Sequence, residues 1–255
     1  MNVQILKEIY FDPVALELFK NFIQGCITSK TSKKTLRLFK RSKLTLNDIQ
    51  KDLPVSAVGL YSLTIRYQTK KITPKIIYEY YMGDTHIIDA INKTNNPDFL
   101  ITKTKKSLQE ILKTLKIDIG KITNKAMFLI SDVAFLGEIQ SFEKNDPHIC
   151  SVAIDDSFGD FILLNKIVIP PGLSHLKKDD PVLVHLGYIG AKIKKEHFDW
   201  IVKLTKKQFE YPEIIDAFKK IHECHESYID YEEFCKKGKK HCNLTKLQFE
   251  NYYNK

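Results

Sequence analysis

A chain of 255 residues in which 43% of the side chains are hydrophobic can bury one large core or two small ones. No apolar run is long enough to span a bilayer and no secretory leader pattern opens the chain, so a soluble, intracellular protein without a membrane partner is expected; five irregularly spaced cysteines argue against a disulfide scaffold. The formal net charge of +9 is unevenly spread, with 22 basic against 11 acidic residues in 1–125 and 18 against 20 in 126–255, which places any phosphate-facing surface in the first half.

In chain order, Asp12 reads as an N-cap with Pro13 at the first helical position. Val14, Leu18, Phe22 and Ile23 then form one apolar face of a helix ending near Gly25, expected to pack on the strand-rich segment 126–205. Between Glu17 and Asp48 there is no acidic residue, whereas Lys20, Lys30, Lys33, Lys34, Arg37, Lys40, Arg41 and Lys43 interleave with Leu36, Leu38 and Phe39. Such a stretch suits a track of phosphates, with Phe39 available to stack on a base. A solvated basic loop or a nuclear-localisation patch has the same composition. Residues 58–68 alternate, with Leu60, Ser62, Thr64 and Arg66 opposing Tyr61, Leu63, Ile65 and Tyr67, and 76–82 is a second β-rich run. The two are expected to pair as a hairpin. Residues 84–93 read as helical, and Ser107 with Glu110 forms a capping box ahead of Leu108, Ile111, Leu112 and Leu115.

The strongest pattern lies in 133–204. Val133, Phe135, Gly137 and Ile139 fall on one face of a strand over 133–142, and Ala134, Leu136, Glu138 and Gln140 on the other, with Gly137 placed for a strong bend. Runs at 149–154 and 160–165 flank the turn Asp155-Asp156-Ser157-Phe158-Gly159. After the break at Pro170-Pro171-Gly172, a fourth strand is expected over 181–189, pointing Val182, Val184, Leu186 and Tyr188 one way, then a loop at 190–195 and a fifth strand over 198–204. Five short strands broken after the third suit a small Greek-key OB barrel. The expected fold is mainly β with flanking helices (α+β): a five-stranded OB-fold barrel with an elaborated N-terminal half and a helical C-terminal tail. The expected divisions are 1–28, an N-terminal helix; 29–125, a basic α+β unit; 126–205, the barrel; and 206–255, C-terminal helices, with a truncated or reduced winged helix as one reading.

Three pieces in order carry a resemblance: Val133 to Ile139, Val152 to Gly159 with its Asp155-Asp156 pair, and Asp179 to Gly187. They resemble the OB domain of the middle subunit of replication protein A, and more closely the Stn subunit of the CST telomere-capping complex, whose Asp-Pro-Val helix is similar to Asp12-Pro13-Val14. The matching pieces cover roughly a third of the chain. About a hundred residues separate the Asp-Pro-Val helix from the first strand, where that family has a short connector. The resemblance implies a non-enzymatic subunit at chromosome ends in the nucleus. It would bridge a small OB-fold partner and a large multi-OB DNA-binding subunit on single-stranded telomeric DNA and aid recruitment of polymerase alpha-primase.

Candidate nucleic-acid contacts are Lys30, Lys33, Lys34, Arg37, Lys40, Arg41 and Lys43, with Phe161, Tyr188, Lys192, Lys194 and Lys195 on the barrel. Residues 126–204 hold 8 basic against 11 acidic side chains, so protein docking competes with DNA as the barrel's role. Phe161 and Tyr188 suit either the core or base stacking; Trp200 and Phe135 point inward by alternation. The stripe Phe209, Ile214, Ile215, Phe218 and Ile221 suits either a partner interface or a cover for the chain's own barrel. Two other classes remain open: a protein-interaction OB subunit of telomerase, and a duplex binder using helices at 227–253 as a helix-turn-helix.

No P-loop, nucleophile elbow or nucleophile–base pair is present, so no catalytic residue and no cofactor is expected. His222, Cys224, His225, Cys235, His241 and Cys242 offer zinc-type ligands at a spacing that fits no standard finger, so no metal site is expected either. Asp155, Asp156 and Asp160 read as turn residues rather than a two-metal nuclease cluster.

Overall fold

The computed structural model describes residues 3–26, 37–41, 43–95, 124–155, 161–173 and 175–224. The expected capping box at 107–110, the turn residues 156–160 and the tail beyond 224 lie outside the described residues.

The N-terminal half is helical. Helix α1 (Val3–Glu8) leads into a two-residue strand β1 (Tyr10–Phe11) and helix α2 (Pro13–Phe22). Asp12 caps α2 as expected, its carboxylate accepting from the Val14 N–H at 2.9 Å with Pro13 at the first position. Leu18, Phe22 and Ile23 are buried as expected, joined by Ala15, Leu16 and Phe19, while Val14 is exposed. A 3-10 turn, Ile23–Cys26, continues the chain. Then come α3 (Leu46–Ile49), α4 (Pro54–Arg66), strand β2 (Lys71–Ile72), α5 (Pro74–Met82) and α6 (Asp84–Thr94).

The expected hairpin over 58–82 is therefore two helices. Pro54 and Pro74 each start one from the first position, where the missing N–H costs nothing. In α4 the inward residues Ala57, Leu60, Leu63 and Thr64 have helical spacing, and Leu63 and Ile65, placed on one face by the apparent alternation, are respectively buried and exposed. Helix α5 buries Ile76, Ile77, Tyr78, Tyr80, Tyr81 and Met82, nearly its whole circumference, so periodicity could not separate it from a strand. The extended pairing in this half is β1 beside β2, parallel, with Lys71 Nζ 2.7 Å from Asp12 Oδ2.

The second half forms a mixed sheet framed by helices. Helix α7 (Asn124–Asp132) precedes strands β3 (Phe135–Glu143), β4 (Asp146–Asp155), β5 (Phe161–Val168), β6 (Pro181–His185) and β7 (Tyr188–Lys192). Their hydrogen bonds ring through all five in the order β3-β4-β5-β7-β6 and back to β3. All pairings are antiparallel except β5 with β7, which meet in parallel at Val168 and Tyr188. Gly137 pairs with Ile154 on one side and Val182 on the other; a Cβ there would lie 2.6 Å from the Ala153 carbonyl oxygen, so the tight inner corner of the ring requires glycine.

Two strand assignments need correction. The run 181–189 is two strands, because Leu186 and Gly187 have φ of 49° and 77° and make a two-residue hairpin turn of the primed kind. The turn reverses the period-two phase: Val184 pairs with Ile189 and His185 with Tyr188, so Tyr188 lies on the opposite face from Val182 and Val184, against the expected single face. The expected fifth strand over 198–204 is helix α8 (Phe198–Gln208), with Phe198, Ile201, Leu204, Thr205 and Gln208 buried at helical spacing. The true fifth strand, β7, occupies part of the expected loop 190–195. Helix α9 (Pro212–Cys224) ends the described chain. The protein is thus mixed α/β with several helices rather than mainly β.

Two hydrophobic cores share the ring. One gathers α2, α4, α5 and α8 with Ala134, Leu136, Leu183, Ala191 and Ile193 from the outer side of the sheet. The other fills the sheet's interior with Phe135, Ile139, Val152, Ile154, Leu164, Val182 and Ile189, closed by α7 and by Ile214, Ala217 and Phe218 of α9.

Candidate functional site

The expected nucleic-acid residues meet different fates among the described residues. Of the basic segment, Lys30, Lys33 and Lys34 lie outside the described residues. Arg37, Lys40, Arg41 and Lys43 are exposed, and Arg41 approaches Asp48 at 3.2 Å. Phe39, assigned to base stacking, is 4% exposed and meets the Phe19 ring edge-on at 6.0 Å; it is a core residue. Tyr188 is half-buried at the β6–β7 turn. Phe161 opens β5, and only its strand position is described.

Lys192 is not a free cation, because its ammonium lies 2.7 Å from Oδ1 of the buried Asp180, whose other oxygen accepts the Lys177 N–H at 2.8 Å. Lys194 and Lys195 remain exposed at the exit of β7. Trp200 is half-buried, with Lys75 Nζ 4.2 Å from its ring centroid, a cation–π contact on the flank of α8.

The proposed partner stripe is largely spent inside the molecule. Ile214 and Phe218 are 0% and 1% exposed, and Phe218 packs edge-on against Phe135 at 5.0 Å and Phe209 at 5.1 Å. Phe209 and Ile215 are half-buried, and Ile221 is described only as part of α9. Burial of this kind leaves the stripe covering its own sheet. Tyr211 strengthens that seat by donating its hydroxyl to Asp84 at 2.9 Å, and Lys207 pairs with the same carboxylate.

A different cluster emerges where α6, α7 and β6 meet. His86, Asp132 and His185 bring one ligand-capable atom each to within 4.8 Å of one another. His185 Nδ1 donates to the Phe22 carbonyl at 2.8 Å, and the Asp132 backbone also favours a proton on the His185 ring. His86 Nε2 donates to the Asp132 carbonyl at 2.6 Å, leaving Nδ1 with a lone pair. His185 Nε2, His86 Nδ1 and Asp132 Oδ2 are buried with no hydrogen-bond partner among the described residues. The rings of Phe22 and Tyr81 stack at 4.3 Å and 10° beside them, with Tyr81 4.9 Å from the His185 ring. Burial, reinforced by neighbouring His86, pulls the His185 imidazole down to about 4, so the ring is neutral at neutral pH. A cavity of about 300 Å³ lined by Val55, Val58, Tyr80 and Thr85 reaches His86 and Asp89.

Elsewhere on the sheet, burial pushes the Cys150 thiol up to about 12, which keeps it unreactive. Burial likewise pushes the Glu138 carboxyl up to about 7, with Asp179 adding to the shift while the amide donated by Gln140 at 3.0 Å and the charge of Lys178 oppose it. A carboxyl whose folded value exceeds its unfolded one favours folding in its protonated form, so stability falls as pH rises from about 4.5 through 7. Glu138→Gln is expected to stabilise the chain at pH 8 by about 1–2 kcal/mol, after discounting for partial exposure, and to change little at about pH 4. Urea denaturation at the two pH values checks this; equal effects at both would show that Glu138 ionises freely.

Comparison with known proteins yields no match: no family model, no curated protein and no solved structure matches this chain. Among the described residues, no helix is long and apolar enough to cross a membrane.

Proposed function

We propose that this chain is a non-enzymatic OB-fold subunit of a CST-like complex on single-stranded telomeric DNA. It bridges a small OB partner and a large DNA-binding subunit in the nucleus, and aids recruitment of polymerase alpha-primase. The observation that carries the reading is the strand order. Counting the ring strands from one to five, the first lies beside the second and fourth, and the third meets the fifth in parallel, an arrangement that suits the Greek-key closure of an OB barrel. The Asp12-Pro13-Val14 helix seated on the fifth strand adds support, since the resembled family opens with such a helix.

Affinity purification of the tagged chain from its native cells, with mass spectrometry and a probe for telomeric single strands, tests the assignment. Recovery of a small OB protein together with a large multi-OB subunit is the expected result. Recovery of telomerase without the small protein would replace it with a telomerase interaction subunit, a reading favoured at one point by the internal neutralisation of Lys192. Recovery of neither would overturn both.

DNA contact by the chain itself rests on the basic segment and on Lys194 and Lys195. Reversing Lys33, Lys34, Arg37 and Lys40 is expected to weaken single-strand binding and to flatten the salt dependence by up to about 0.7 in log–log slope per lost phosphate contact. An unchanged slope in a filter-binding series would place the contact elsewhere.

A further inference from the structure

We propose that His86, Asp132 and His185 form a binding site for a divalent transition-metal cation of the zinc class, locking the helical half of the chain to the strand ring. The three residues come from α6, the end of α7 and β6, so the site would join elements that are far apart in the chain.

Three features support it. First, His185 Nε2, His86 Nδ1 and Asp132 Oδ2 are buried without a hydrogen-bond partner among the described residues; Asp132 Oδ2 stands 3.8 Å from His86 Nε2 and 3.7 Å from Lys93 Nζ, too far for a hydrogen bond. Buried polar atoms without a partner are costly, and a cation satisfies several at once. Second, His185 has the supporting contact typical of metal-bound imidazole, its Nδ1–H given to the Phe22 carbonyl. Third, a cavity lined by Val55, Val58 and Asp89 reaches His86, one of the three residues.

Imidazole nitrogen with carboxylate oxygen is a donor set that suits zinc and its neighbours better than calcium or magnesium. Tetrahedral zinc holds such atoms about 3.3 Å apart, so no pair needs to close by more than roughly 1.5 Å on binding. Lys93 Nζ stands 3.7 Å from Asp132 Oδ2 and 2.5 Å from Asp89 Oδ2, so its charge is shared with Asp89 rather than directed at Asp132 alone.

The test uses the full-length chain carrying Cys224→Ser, Cys235→Ser and Cys242→Ser, so that thiols of the tail cannot contribute. After chelator stripping, cobalt(II) is titrated in and followed by its visible d–d absorption, and zinc by competition and by thermal melting. One equivalent bound, with the d–d bands of a four-coordinate nitrogen–oxygen site and a raised melting temperature with zinc, is expected. His185→Asn keeps a donor for the Phe22 carbonyl and removes the Nε2 ligand, and Asp132→Asn removes the carboxylate; each is expected to weaken binding at least about tenfold. Binding by the parent chain that is lost when the three cysteines are replaced would overturn the site. So would binding that survives both ligand substitutions, or no binding and no melting shift, which would mean that buried water satisfies the three atoms. The titration of the triple-cysteine variant decides the matter even if a ligand-substituted chain fails to fold, and none of these outcomes depends on the telomeric reading.

Discussion

Gly190→Val is expected to lower stability by about 2–3 kcal/mol, and the melting temperature by roughly 5–10 °C. Gly190 lies in β7 directly under α2, and a Cβ there would stand 2.4, 2.5 and 2.8 Å from Cε1, Cδ1 and Cζ of Phe22. The ring has nowhere to retreat. It is stacked on Tyr81 at 4.3 Å, meets His185 edge-on at 6.0 Å, and its own carbonyl is held by His185 Nδ1. The added methyls must therefore lift the helix from the strand, and the lost contacts include the aromatic centre of the N-terminal core. Equilibrium urea unfolding of Gly190→Val, Phe22→Leu and the double variant measures this. The double variant should be less damaged than the sum of the singles, because the smaller side chain makes the room that valine needs. Additive effects, or a melting point within about 2 °C of the parent, would show that α2 does not sit on β7 in solution.

That contact could be read in part from the chain. Asp12-Pro13 announces a helix by its own chemistry, and the strands at 135–143 and 146–155 announce themselves by alternation with a glycine at the bend. These signals are local, so one sequence suffices. The helices at 54–66 and 74–82 were hidden by composition: valine, isoleucine and tyrosine favour strands, and Ile65, one of the side chains that suggested alternation, is on the surface. Two prolines at first helical positions were the available signal, and they were outweighed by residue type. Phe39 was misplaced for a related reason. It stands among cations, yet Leu44 and Leu46 nearby are fully buried and draw its segment into the core. The His86–Asp132–His185 cluster had no sequence signal at all, since metal-type spacing is short and these residues meet only through the packing of α6, α7 and β6. Conversely, the ligand-rich tail drew attention by composition alone.

The same distinction between pattern and packing decides the role of α9. Phe218→Ala is expected to destabilise the isolated chain by about 3–5 kcal/mol, because the ring is 1% exposed and fills the space between Phe135 and Phe209 at the mouth of the strand ring. The cavity cannot close easily, as Ile214 and Ala217 are fixed on the same face by the helix, and Tyr211 is tied to Asp84 at its start. Lys219→Glu, one position along but exposed, should leave stability within about 0.5 kcal/mol. The pair separates two roles that apolar spacing alone leaves equal. If α9 closes the chain's own core, Phe218→Ala lowers the melting temperature of the purified chain with no partner present, and a partner that meets this helix does so through the charged face bearing Asp216, Lys219 and Lys220. If instead Phe218→Ala leaves the isolated chain's melting unchanged and abolishes recovery of a partner, the helix is a detachable arm whose apolar face belongs to another subunit.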